Sequence, residues 1–149
     1  MERQKSFKIQ IHINKEKTMN ITTLKSESFE IVMGVTAGYF HNNEDQNKEV
    51  EFRSDYQKIA GDIFNECGIY VSAVITSGDV VYHTDWGCPA GGEKVFIIKG
   101  ERNPIFMGDP ERYKLIVEEI TKRLMSKYEQ TTCSLTWKEV TFSYFQNQD

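Results

Sequence analysis

Two stretches of this chain repeat their apolar residues with the period of a helix, and nearly everything around them repeats with the period of a strand. The first places Tyr56, Ile59, Ala60, Ile63, Phe64 and Cys67 on one stripe. Ser54 with Gln57 reads as a capping box at its start, and Gly68 as the glycine that ends it. The second has Asp109 as cap and Pro110 in the first helical position, then Tyr113, Ile116, Val117, Ile120 and Leu124 on one face. Glu118 with Lys122 and Glu119 with Arg123 support its outer side. Each helix must bury its stripe, and the strand-like segments are what it has to bury it against.

Those segments read in order. Phe7, Ile9, Ile11 and Ile13 alternate strictly with Lys8, Gln10, His12 and Asn14, as a half-buried added edge strand would. Thr18 to Ser28 is polar and reads as a connection. Phe29 to Phe40 is a strand in which Gly34 and Gly38 suggest a bulge or the close approach of another backbone, and His41 to Lys48 is an exposed loop. Ile69 to Thr84 is strand-like, and Ser77-Gly78-Asp79 within it fits either a tight hairpin turn or a bulge in one long strand. A glycine- and proline-bearing loop, Asp85 to Gly92, leads into a short buried strand, Val95 to Ile98. From Thr132 to Phe145 the apolar parity runs Cys133, Leu135, Trp137 and then Val140, Phe142, Tyr144; the slip at Lys138 and Glu139 predicts a bulge.

From Phe29 onward the order is strand, helix, strand, strand, helix, strand, the split βαβ arrangement. This α+β layout resembles the ferredoxin-like fold, βαββαβ, which implies an antiparallel sheet with two helices on one face, here with an extra N-terminal strand. The chain divides into an N-terminal strand and connection over 1–28 and a single α+β domain over 29–149, a length usual for one domain. The sheet face opposite the helices needs a cover, because both parities of Ile69 to Ile75 are apolar and Trp137 and Phe145 cannot both face the helices. Self-association or the N-terminal strand would supply it, and a homo-oligomer is the expectation.

Composition excludes several classes. Apolar runs break within a few residues, far short of the roughly 20 needed to span a bilayer, so no membrane partner is expected. Met1 to Ile13 lacks the continuous apolar core of a secretory signal, which makes cytoplasmic residence the default. Cys67, Cys88 and Cys133 are odd in number and contain no Cys-x-x-Cys spacing, which disfavours both a disulfide framework and a zinc site. Residues 1 to 26 carry six Lys or Arg against two Glu, a balance of +4, and the remaining residues carry −8. An acidic body disfavours nucleic acid, while the basic leader reads as solvated or as a contact for an anionic partner.

The richest local cluster is His83, Asp85, Trp86 and Cys88, followed by Gly91, Gly92 and Glu93. As metal ligands, His83, Asp85 and Cys88 would have to converge from one short loop, and no second ligand pair is evident. As a nucleophile, Cys88 would need His83 against its thiol. As a ligand loop, the glycines would expose backbone N–H groups and Trp86 would offer a stacking face. As a plain turn, the glycines would supply positive φ and Trp86 would plug the core edge. Cys88 is then accessible, and Cys67, on the helix stripe, is structural. His41 and Asn43, after the first core strand, are further candidates for a polar ligand, as is Arg102, near the second helix start where orphan N–H groups favour an anion. No phosphate-loop glycine pattern occurs, and neither a cofactor nor a metal is implied.

Three functions fit these features. The first is a non-catalytic binding module for a small polar ligand or a protein partner, acting as a homo-oligomer. The second is a small enzyme with its pocket at the 83–93 loop and His83 as general acid or base. The third is an acidic inhibitor or regulator that docks on a basic partner surface.

Overall fold

A computed structural model describes residues 7–14, 17–35 and 48–148. Five strands and two helices follow one another as β1 (Phe7–Asn14), β2 (Lys17–Gly34), α1 (Lys48–Cys67), β3 (Val74–Val80), β4 (Glu93–Glu101), α2 (Pro110–Lys127) and β5 (Ser134–Gln148). All pairings are antiparallel: β5 lines one edge of β2, β4 lines the other, and β3 lies outside β4. β2 and β3 therefore run parallel with β4 between them, as do β4 and β5 with β2 between them. These are the two interlocked split βαβ units of a ferredoxin-like fold. β1 joins as an added strand on the N-terminal part of β2, from Phe7 opposite Thr23 to Asn14 opposite Lys17.

Both helices lie on one face and enclose the core. From the sheet come Phe29, Ile31, Met33, Phe96 and Ile98; from the helices come Phe52, Tyr56, Ala60, Ile63, Tyr113, Val117, Ile120 and Leu124. Phe52 stacks on Phe96 with ring centroids 4.4 Å apart. Tyr56 is buried, and its hydroxyl donates to the Val71 carbonyl at 2.7 Å, so the one polar atom on that stripe is satisfied. α2 starts as its sequence dictates: Asp109 Oδ1 accepts from the Arg112 N–H at 3.2 Å, and Pro110 opens the first turn. Neither described helix is long and apolar enough to cross a membrane.

Several expectations need correction. α1 begins at Lys48, so Ser54 is an exposed interior position rather than a cap. Its buried stripe starts at Phe52, which the later start had left outside. Phe64 is 47% exposed and meets Tyr70 edge to face instead of the core. Gly68 does end the helix, at φ +79° with its N–H bonded to the Phe64 carbonyl. The stretch from Thr18 to Ser28 is no connection but part of β2, which runs over Lys17–Gly34; residues 36–40 of the strand expected to reach Phe40, and 41–47 of the expected loop after it, lie outside the described residues. Ser77-Gly78-Asp79 makes neither a hairpin turn nor a bulge, because β3 pairs without a register shift from Val74 opposite Lys99 to Val80 opposite Glu93.

The bulge expected at Lys138 and Glu139 is also absent, although the parity slip behind it is real. β2 and β5 pair without interruption from Thr18 opposite Gln148 to Val32 opposite Ser134. Within that unbroken ladder, the covered face changes. Phe29 and Trp137 lie opposite one another on the helix side, whereas Ser26 and Val140, and Leu24 and Phe142, occupy the other parity. The far half turns this other face to the loop before α2, whose Phe106 meets Tyr144 edge to face at 5.9 Å. The strands change cover, not register.

Candidate active site

Two hollows lined by described residues lie on the sheet face away from the helices. One, about 650 Å³, lies over Ser28, Glu30, Lys99, Glu101, Thr136 and Lys138. It is the larger, but its floor is flat strand and two of its charges, Glu30 and Lys99, already face each other at 4.0 Å. The other, about 380 Å³, lies at the opposite end of that face, where β2 ends, β4 begins and the α2–β5 connection passes. Its volume falls in the range of small-molecule sites. Val32, Val80 and Val95 contribute apolar wall, while Tyr82, Glu93, Glu129 and Gln130 bring polar groups to the same hollow. Convergence of polar groups on an apolar floor marks the smaller cleft as the better site.

Backbone constraints hold these groups in place. Gly92 carries φ +107°, and a Cβ there would lie 2.9 Å from the Val80 carbonyl oxygen, so only glycine lets the β3–β4 hairpin close this tightly. That closure sets Tyr82 against Glu93, with the phenol donating to Oε2 at 2.8 Å. On the other wall, Glu129 leaves α2 in the left-handed region at φ +52°. The Gln130 N–H then returns to the Met125 carbonyl at 2.9 Å and its side-chain amide to the Tyr128 carbonyl at 2.9 Å. Gly34 makes room for that side chain, since a Cβ would come within 2.7 Å of Gln130 Oε1. Cys133 also lines the cleft; its thiol donates to the Val32 carbonyl, and burial pushes its pKa up to about 11.

Of the described residues singled out in the sequence cluster, Glu93 lines this hollow, whereas His83, Asp85, Trp86, Cys88, Gly91 and Gly92 do not, and neither does Arg102. His83 precedes a short 3₁₀ turn, Thr84–Trp86, and its Nδ1 accepts from the Asp85 N–H at 3.0 Å. The ring lies 5.6 Å from that of Trp86. Trp86 is 71% exposed and plugs no core. Cys88 is buried, a correction to its expected accessibility: its sulfur accepts the Tyr82 N–H at 3.4 Å and lies 4.0 Å from the Val80 carbonyl. Cys88 thus pins the two sides of the hairpin together, and its hydrogen-bond partners are backbone groups of Tyr82, Val80 and Pro89 rather than His83. Gly91 and Gly92 both have positive φ. Arg102 is fully buried, with Nε on Glu27 at 2.6 Å and Nη1 on the Met107 carbonyl at 2.9 Å. It bonds inward instead of awaiting an anion at the α2 start. His41 and Asn43 lie outside the described residues. Among the described residues, no group of three or more His, Cys, Asp or Glu could hold a metal ion.

Sequence reasoning marked the hairpin loop and passed over its base. Tyr82, Glu129 and Gln130 were not candidates, because nothing local links position 82 to positions 129 and 130. The one available signal was a Glu-Gln pair immediately past a helix end.

Two solved structures share this architecture. A phage SAM lyase in complex with S-methyl-5′-thioadenosine matches at a TM-score of 0.53 and 17% identity, over 80% of this chain and 88% of that one. A phage SAM lyase in the apo state matches at 0.52 and 14%, over 80% and 89%. At such identity the likeness is one of fold. No curated protein matches the chain. In sequence, residues 24–146 match the SAM lyase family. A lyase is an enzyme, so this match overturns the expectation of a non-catalytic binding module and favours the enzyme reading. The match spans most of the chain, and the chain belongs to the SAM lyase family.

Proposed function

We propose that this protein cleaves SAM, S-adenosylmethionine, in the cleft between the β3–β4 hairpin and the α2–β5 connection, releasing S-methyl-5′-thioadenosine. The family match over residues 24–146 carries the reaction class. The gathering of Tyr82, Glu93, Glu129 and Gln130 around an apolar floor supports the place.

The chemistry suits such a cleft. The bond between the sulfonium sulfur and the methionine side chain breaks, and the sulfur keeps the electron pair and leaves as a neutral thioether. The compensating pair comes from the substrate itself, either from its carboxylate closing on the carbon or from a C–H bond whose proton departs. The positive charge on sulfur vanishes along this path, so a carboxylate placed against sulfur would hold the ground state more tightly than the transition state. Glu93 and Glu129 therefore serve best on the ribose hydroxyls or the ammonium group, orienting the reacting carbon, while Val32, Val80 and Val95 keep water from the dispersing charge. His83 does not line the cleft and has no part in this scheme.

The same open face supports self-association. Val32, Val74 and Ile97 are partly or largely exposed there, rimmed by Glu30, Lys99, Glu101 and Lys138, a mixed rim that a second copy can match. A cytoplasmic location fits a substrate of this kind.

Incubation of the purified chain with SAM tests the activity, with products separated by chromatography. S-methyl-5′-thioadenosine should accumulate as SAM disappears, without any methyl acceptor. A folded chain that leaves SAM intact, or that yields S-adenosylhomocysteine instead, refutes the reading.

A further inference from the structure

The β1–β2 extension stands apart from the shared fold. β1 pairs only with the stretch of β2 from Lys17 to Thr23, and the family match starts after it, at Leu24. Opposite β1, the end of β5 completes a three-stranded arm, in which Ile9, Ile21 and Phe145 occupy one cross-strand row. Among the described residues, none of 19–24 or 139–148 enters the helix-side core. Phe145, in that apolar row, is 59% exposed. Ile21 beside it is half-buried, so the β2–β5 part of the arm presents apolar surface that a partner can cover. The alternation of Phe7, Ile9, Ile11 and Ile13 shows that the pattern extends along the whole of β1.

Charge identifies the cover. Residues 1–26 carry +4 and the rest of the chain −8, so the arm of one copy is attracted to the body of another. We propose that the β1–β2 arm, with the end of β5, is a clasp that seats its apolar row on the acidic body of a second copy of this chain. The clasp is separate from any contact through the open sheet face, since none of its residues lines the hollow there, and its β1–β2 part, residues 7–23, precedes the family match.

Sedimentation velocity on the full chain tests this, with two variants. Phe145→Asp puts a charge into the open row; Lys8→Glu with Lys17→Glu reverses arm charge without touching an apolar position. Each should keep its circular dichroism and raise the dissociation constant of self-association by about tenfold or more, and high salt should weaken the unaltered chain in the same direction. If both folded variants retain the mass and affinity of the unaltered chain while Ile97→Asp on the open face lowers them, the clasp is wrong. An unaltered chain that stays monomeric at high micromolar concentration, or an arm that binds duplex DNA with no self-association, equally overturns it. None of these readouts depends on SAM cleavage.

Discussion

The phenol of Tyr82 donates a 2.8 Å hydrogen bond to Glu93 Oε2 across the neck of the β3–β4 hairpin. The two residues flank a loop whose tip holds the conspicuous chemistry, yet the pair that faces the cleft sits at its base. Glu93→Gln keeps the shape and removes the charge. It should lower kcat/KM for SAM by about 100-fold, as loss of a positioning group does, with an unchanged melting temperature. Tyr82→Phe should cost about tenfold, near the worth of one hydrogen bond. Full activity in folded Glu93→Gln would move the site elsewhere.

Gly100 has no room for a side chain. A Cβ there would lie 2.5 Å from the Phe29 ring and 2.9 Å from the Ser72 carbonyl oxygen. Gly100→Ala should therefore destabilise the fold by about 1–3 kcal/mol, the cost of overpacking a closed core. Gly61→Ala, on the helix where nothing lies within 4 Å, should leave stability equal or slightly higher. Urea midpoints of the two variants, compared with the parent, separate these outcomes.

Trp86→Ala should change stability by no more than about 0.5 kcal/mol, because the ring is 71% exposed. A loss of several kcal/mol on thermal melting would show that Trp86 packs in a way this conformation lacks.

Alkaline pH should unfold the protein by a definite route. Burial pushes the Cys133 thiol from its usual 9.0 up to about 11 and lifts the Tyr56, Tyr113 and Tyr128 phenols above their ordinary range. All four are raised, so the native state keeps protons that the unfolded chain has released. Their contribution is whole below about pH 9 and declines as pH climbs toward the folded values. Denaturant midpoints measured from neutral to strongly alkaline pH should be level at first and then fall; a midpoint that rises above pH 9 would reverse the sign. Native thiol labelling should likewise reach Cys67, partly exposed, before Cys88, which is buried.

Local chemistry made the helices legible and left the long strand hidden. Asp109, Pro110 and Gly68 act within a turn of their own backbone, so their signals survive without context. Ser54 and Gln57 matched a cap motif inside a helix, while the Phe52, Tyr56, Ala60 spacing that extends the stripe upstream was already there to read. Thr22, Thr23, Lys25, Ser26 and Glu27 look like linker because their strand character comes from β5, more than 100 residues away in the chain, joined at Thr22 and Thr23 by β1 on the other edge. Arg102 was misread for a similar reason: its counter-charge, Glu27, belongs to that hidden part of β2. The cleft joins the hairpin base to the far end of α2, and only the folded sheet brings them together.

β2 is clamped by three ladders at once, with β1 and β4 along one edge and β5 along the other. A strand so held cannot slide by two residues to relax a strain, as a singly paired edge strand can, without breaking all three ladders together. Its length thus works as a caliper. Gly34 at the cleft and Met19 on the arm are kept apart by a fixed count of residues, about 50 Å at roughly 3.3 Å each. Any contact made at the arm is thereby held at a set distance from the cleft.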